Sequence, residues 1–295
     1  TAAAAAAVQW AGGVFGKPRK ARVPRAATWN MESAMWATSG AEPSVPVILE
    51  RIKKHELDFA MLVDTGLNYH SRVLFDKMCE DKQLVAKHVL GSNDQGKRMF
   101  TGGCSIIMTK EWGDKIISVD IDKSLGGRWI TVVVPLTKSK QMTIGAVYGQ
   151  TAPYQCEDNK TKAIAIISKV INITRHATGQ DMAVMWGGDL NITRDLMIDR
   201  YSPAKHDDNC TDTPQRLHHH TMDTSDLHNM LIMQSGLIDV WHHRRGEQVG
   251  YTYQHKRRDK HSARARLDYV LMTMDMAGAT SQIAVRGVEQ CAEGA

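Results

Sequence analysis

Residues 182–191 read MAVMWGGDLN: an apolar run meets two glycines, and a carboxylate and a carboxamide then stand two residues apart. A carboxylate can accept a proton or bind a metal, and a carboxamide can hydrogen-bond an oxyanion without adding repulsive charge. The apolar run reads as a buried strand presenting Asp189 and Asn191 at its carboxyl end, where open α/β architectures place ligands and chemistry. Gly187 and Gly188 let the backbone turn sharply and approach a ligand closely. If extended geometry continues, Asp189 and Asn191 share a face, because side-chain direction repeats every two residues. Gly and Asp are also ordinary turn formers, so the motif gains weight only from company elsewhere in the chain.

Four further sites supply that company. Thr28-Trp29-Asn30 places a carboxamide at a strand end, and Met61-Leu62-Val63-Asp64-Thr65 a carboxylate at another. Val147-Tyr148-Gly149 ends a strand on a phenol, and Arg266-Leu267-Asp268-Tyr269-Val270 sets an acid within a strand. Each alone is turn chemistry or packing. Together they provide acids, amides and a phenol on several strand ends, the inventory for metal-assisted phosphate-ester hydrolysis.

The elements that would position these residues alternate along the chain. Ala26–Asn30, Leu57–Val63, Cys104–Thr109, Trp129–Val134, Thr143–Tyr148, Met182–Trp186, Tyr251–Gln254, Leu267–Thr273 and Ser281–Val288 have strand character. Val47–His55 has helical spacing, with Val47, Ile48 and Ile52 on one side, and Lys162–His176 carries a stripe of Ala163, Ile164, Ile167, Val170 and Ile171. Leu227–Gln234 reads as a short helix stopped by Gly236. Many strands with a few helices packed outside imply an α/β sandwich. Residues 1–25, Ala-rich and then basic, read as an arm or linker, and residues 26–295 as one domain. Residues 194–223, rich in His and Asp, read as a long surface loop, and His218, His219 and His220 lack the spacing of a zinc site.

Composition sets bounds. Hydrophobic residues make up 42% of the chain, enough for a sizeable core, and the net charge is +5. That mild excess is clustered: Lys17, Arg19, Lys20, Arg22 and Arg25 form one run, and Lys256, Arg257, Arg258, Lys260, Arg264 and Arg266 another. Such runs are footprints of phosphate-backbone binding or solvated loops. Five widely spaced cysteines with no CxxC argue against a disulfide framework and for a reducing compartment. No stretch approaches the roughly eighteen apolar residues of a membrane span, so no membrane partner is expected.

The order Trp-Asn, Leu-x-x-acid-Thr, Gly-Gly before an Ile-rich strand, Val-Tyr-Gly, Gly-Gly-Asp-Leu-Asn and Arg-Leu-Asp-Tyr-Val resembles the endonuclease/exonuclease/phosphatase superfamily, over roughly Ala26 to Val288. Within it the chain is most similar to the apurinic-endonuclease-like domain of LINE-type (non-LTR) retrotransposons. Asn191-Ile192-Thr193 with Ile198-Asp199-Arg200, Gly236-Leu237-Ile238-Asp239-Val240-Trp241 and Gly250-Tyr251-Thr252-Tyr253 carry this finer likeness. The resemblance implies a DNase I-like four-layered α/β sandwich, two packed mixed β-sheets flanked by helices. It implies a DNA-nicking hydrolase dependent on Mg²⁺ or Mn²⁺, intracellular, and nuclear if a retroelement enzyme. By position, Asp64 and Asn30 would serve the metal, Asp189 the attacking water, Asn191 the scissile phosphate, Tyr148 a phosphate oxygen or leaving group, and Asp268 a catalytic His. Arg200, Thr252, Lys256, Arg257, Arg258 and Arg266 would contact nucleic acid.

Two departures qualify the resemblance. Asp64 stands where the superfamily has Glu, and its final Ser-Asp-His is absent, the chain closing on Cys291-Ala292-Glu293-Gly294-Ala295. Either the triplet follows beyond Ala295 or the copy is degenerate. The second case allows a non-catalytic structural or binding subunit of a nucleoprotein assembly, in which case an organelle is a possible location. A third expectation is a phosphatase acting on a small phosphorylated substrate.

Overall fold

Two six-stranded sheets face one another across an apolar layer. The computed structural model describes residues 7–11, 24–31, 44–92, 101–195, 199–201, 214–248, 250–254, 264–280 and 282–286. In chain order these form β1 (Ala7–Ala11), β2 (Ala26–Asn30), α1 (Ser44–Lys54), β3 (Phe59–Val63), α2 (Tyr69–Asp81), β4 (Leu84–Val89) and β5 (Cys104–Thr109). There follow α3 (Lys110–Gly113), β6 (Ser118–Ile121), β7 (Trp129–Pro135), β8 (Gln141–Tyr148), α4 (Glu157–Gly179), β9 (Ala183–Asp189) and β10 (Arg200–Tyr201). The chain continues with α5 (Pro214–Ser235), β11 (Ile238–Asp239), α6 (Val240–Arg245), β12 (Tyr253–Gln254), β13 (Arg264–Ala265), β14 (Asp268–Met272), α7 (Met274–Ala279) and β15 (Gln282–Arg286).

The first sheet has the order β15-β1-β2-β3-β5-β4 and the second β11-β14-β9-β8-β7-β6. Both are mixed: β2 runs parallel to β3 and β8 parallel to β9, while their other pairings are antiparallel. A small ribbon, β10-β13-β12, stands apart from them. Period-two alternation sorts the side chains into layers. In β3, Phe59, Met61 and Val63 face the second sheet, while Ala60 and Leu62 join α1 and α2 on the outside. In β9, Ala183 and Met185 face the first sheet, while Val184 and Trp186 pack under α4 and α5. The result is helix, sheet, sheet, helix, the four-layered α/β sandwich expected from the sequence.

Several expectations are corrected in detail. Residues 7–11, assigned to the arm, form β1, which pairs with β15 on one side and β2 on the other. Arg25 ends the basic run but is buried, with its Nη1 on Glu56 at 2.8 Å. The remainder of that run lies outside the described residues. The α1 stripe is Val45, Ile48, Leu49 and Ile52, and Val47 faces out. On α4 it is Ile166, not Ile164, that is buried. Part of the expected 194–223 loop belongs to α5, which begins at Pro214 and takes in His218–His220 by backbone. Among the described residues no helix is long and apolar enough to cross a membrane.

Candidate active site

The two sheets bring five of the predicted side chains to one end of the sandwich. β2 ends on Asn30, β3 is followed by Asp64, β8 ends on Tyr148, β9 ends on Asp189, and β14 begins on Asp268. Tyr148, Asp189 and Asp268 stand in register as one row across the second sheet. Asn30 reaches this row from the facing sheet: its Nδ2 donates to Asp189 Oδ2 at 2.6 Å.

Gly187 lets the sheets come close. A Cβ on Gly187 would lie 2.6 Å from Met61 Cε and 3.3 Å from Thr28 Cβ, both on the first sheet. Gly188 has φ +153° and a Cβ there would meet the Val147 carbonyl at 1.9 Å. These glycines therefore belong within β9 and serve strand and sheet contact; they do not form the sharp turn expected from the sequence. That turn comes at Asn191, whose φ is +52°. Extended geometry stops there, so Asp189 and Asn191 do not simply share a strand face. Instead the Asn191 N–H donates to Asp189 Oδ1 at 2.8 Å, and Asn191 Nδ2 donates to the Gly149 carbonyl at 3.2 Å. Both oxygens of Asp189 thus accept amide protons, which fixes the carboxylate plane.

Asp64 is also left-handed, with φ +50°, and its Oδ1 accepts the Gly102 N–H at 2.9 Å. Tyr148 is largely buried, and its hydroxyl lies 3.3 Å from Thr151 Oγ1. Burial raises the Tyr148 pKa well above the ordinary phenol range, and the charges of Asp64 and Asp189 raise it further. The phenol therefore remains protonated and available as a hydrogen-bond donor. Asp268 is buried, and its N–H donates to Thr252 Oγ1 at 3.1 Å.

Of the residues expected to contact nucleic acid, Arg266 and Thr252 are corrected. Arg266 is 1% exposed. Its Nε donates to Asp199 Oδ1 at 2.8 Å, and its Nη2 donates to Asp199 Oδ2 at 3.1 Å and Asp239 Oδ2 at 2.8 Å. Burial works against its charge, but Asp239, Asp199 and Tyr269 outweigh that and hold the guanidinium protonated. A cation so enclosed cannot reach a phosphate. Thr252 is likewise buried and accepts from the Leu267 and Asp268 N–H groups, which sets the start of β14. Arg200 is placed by its backbone in β10, and Lys256, Arg257 and Arg258 lie outside the described residues. Among the described histidines, His88 meets Ser105 and Asp76, His228 meets Tyr269, His242 meets Arg194 and the Gly246 carbonyl, His176 meets Gln180, and His70 meets Tyr69. The Ser105–His88–Asp76 array, at 2.6 and 2.9 Å, is not a nucleophilic triad, because Ser105 is fully buried.

Gly102 and Gly149 were not singled out as site residues in the sequence, because their part is played by a backbone N–H and a backbone carbonyl. For a metal, the donor set consists of hard oxygens. Among the described residues no three His, Cys, Asp or Glu side chains form a cage. Mg²⁺ needs no such cage, since it is held by one or two carboxylates with water and phosphate oxygens in the remaining positions. Asp64 and the Asn30 amide fit that requirement.

No protein-family profile and no curated protein sequence matches the chain. Solved structures do. An AP endonuclease from Archaeoglobus fulgidus superposes with a TM-score of 0.60 at 13% identity, covering 87% of this chain and 89% of that one. A 3′ phosphatase from Neisseria bound to a product DNA hairpin gives 0.56 at 16%, covering 80% and 84%. D. rerio TDP2 complexed with a single-strand DNA product gives 0.54 at 14%, covering 84% and 82%. The chain has the DNase I-like α/β sandwich of these proteins.

Proposed function

We propose that this domain hydrolyses phosphodiester bonds in DNA with the help of Mg²⁺ or Mn²⁺, as a nicking endonuclease of a LINE-type retroelement. The observation that carries the reading is the row Tyr148–Asp189–Asp268 with Asn30 bonded across to Asp189. It sets a fixed carboxylate beside a protonated phenol, between an amide and a second acid. In this reading Asp189 orients the attacking water and takes its proton as the oxygen bonds to phosphorus. The bond from phosphorus to the 3′ oxygen breaks and that oxygen takes a proton from solvent or from the phenol, leaving a 5′-phosphate and a 3′-hydroxyl able to prime reverse transcription. Tyr148 donates to a phosphate oxygen or to the leaving oxygen, Asn191 steadies the phosphate, and Asp268 would orient the superfamily's histidine, which is not among these residues and would come from a Ser-Asp-His following Ala295. Asp64 and Asn30 would hold the metal, which when bound supplies charge neutralisation at the phosphate. The structural neighbours that act on or bind DNA support a nucleic-acid substrate. The location that follows is the nucleus.

One observation favours a second reading. Asp64 is shorter than the superfamily's Glu by a methylene, and one of its oxygens already accepts the Gly102 N–H. A site so altered suits a non-catalytic binding subunit of a nucleoprotein assembly. Supercoiled plasmid with Mg²⁺, offered to the chain extended through a following Ser-Asp-His, separates the two. Nicking by the wild type, lost in Asp189→Ala and on chelation, supports the hydrolase. Equal nicking by Asp189→Ala would sink the mechanism. Salt-dependent DNA binding without nicking favours the second reading.

A further inference from the structure

Arg128, just before β7, touches Tyr148 and Gly149 and lies beside Gly102. Its guanidinium carbon lies 4.9 Å from the centre of the Tyr148 ring. Its Nη1 donates at 3.2 Å to the Gly149 carbonyl, which also accepts Asn191 Nδ2 at 3.2 Å. On the other side, the Cβ position of Gly102 is 3.9 Å from both Arg128 Nε and Tyr148 Cδ1. Gly102 is the residue whose N–H holds Asp64.

The backbone of Arg128 is itself fixed. Its N–H donates to Asp122 Oδ2 at 2.7 Å, and its carbonyl accepts from the Tyr148 N–H at 2.8 Å. The other Asp122 oxygen accepts from Ser124 and Leu125, so this carboxylate organises the turn that delivers the arginine. A stacked arginine bonded to a carbonyl is common packing. Here, however, the ring, the carbonyl and the glycine it meets are all joined to expected site residues. The planar fork is suited to doing both at once, stacking by its face and bonding by its edge, which a lysine cannot.

The geometry points to Arg128 as a positioning residue: it holds the Tyr148 phenol and the Gly149–Asn191 contact in the arrangement that meets a phosphate. This rests on the hydrolytic reading of the site. Its positive charge also opposes the effect of Asp64 and Asp189 on the phenol.

Two readouts test it. Protein carrying 3-fluorotyrosine is studied by fluorine NMR, with the Tyr148 resonance identified by its loss in Tyr148→Phe. That resonance should move in Arg128→Met and move less in Arg128→Lys, with both variants retaining the wild-type circular dichroism spectrum. An unmoved resonance in both overturns the proposal, whether or not the protein nicks DNA. In nicking assays Arg128→Met should lower kcat by roughly 10- to 100-fold, in line with the sensitivity of catalysis to small misplacements, with KM changed less than about threefold. In a Tyr148→Phe background that loss should shrink to within about twofold. An equal loss in both backgrounds shows that Arg128 does not act through Tyr148 and overturns the proposal. A wild type that fails to nick sinks the hydrolytic reading, while the fluorine resonance still decides the contact.

Discussion

Asp189 accepts from Asn30 Nδ2 through one oxygen and from the Asn191 N–H through the other. Such a carboxylate is oriented before any substrate arrives, and preorganisation of this kind is where much catalytic power resides. Asp189→Asn should therefore abolish nicking and, because its NH2 faces one of these two donors, cost about 1–3 kcal/mol of stability, as checked by plasmid relaxation and calorimetry. Tyr148 gives a complementary expectation. Burial and two nearby acids raise its pKa, so its protonated form persists as pH rises. The rate should show no alkaline limb between pH 7 and about 10 that disappears in Tyr148→Phe, since 10 is the ordinary phenol value. A limb that the Phe variant removes would contradict the donor role. Arg266 belongs to stability. Removing it leaves Asp199 and Asp239 buried without their cation. Arg266→Ala should cost about 3–5 kcal/mol in denaturant unfolding, whereas a selective loss of DNA affinity at full stability would restore it to the binding surface.

At the scale of elements, α5 is tied to the second sheet through His228, which is 2% exposed and packs 5.2 Å from the Tyr269 ring on β14. Neither ring nitrogen has a hydrogen-bond partner among the described residues. Burial lowers its pKa from 6.5 to about 4. Between these values the unfolded chain binds the proton and the folded one does not. Stability is therefore complete above pH 6.5 and falls as the pH drops toward 4, by on the order of 3 kcal/mol. His228→Leu should flatten that stretch of the stability profile measured by urea unfolding. Strands were the easiest elements to recognise in the sequence. Cys104–Thr109 is reproduced residue for residue, because a continuously buried, Ile-rich run carries a signal of its own. The second helix was invisible: of its thirteen residues only Phe75 and Cys79 are buried, while Val73 and Leu74 face outward, so no apolar stripe exists. The first half of α5 was lost for a similar reason, a His- and Thr-rich run that gives no periodicity. The acid row and Asn30 were legible because strand ends are marked by apolar runs. The burial of Arg266 was not, since Asp199 and Asp239 lie 67 and 27 residues away and its neighbours are basic.

For the molecule as a whole, the site depends on how closely two sheets approach. Gly187 is one point of close contact, with Met61 and Thr28 opposite. Gly187→Val should force the sheets apart, costing about 1–3 kcal/mol by overpacking and also weakening the Asn30–Asp189 bond, so activity should fall further than stability alone explains. Comparing residual kcat with the folded fraction tests this. The first sheet also places β1 between β15 and β2, so strands from opposite ends of the chain are neighbours. This has a consequence during synthesis. At about 5–20 residues per second, β1 leaves the ribosome on the order of tens of seconds before its partner β15 is made. Over that interval a nascent edge with unpaired N–H and C=O groups is exposed to other chains. A strand made much later completes the pairing of β1.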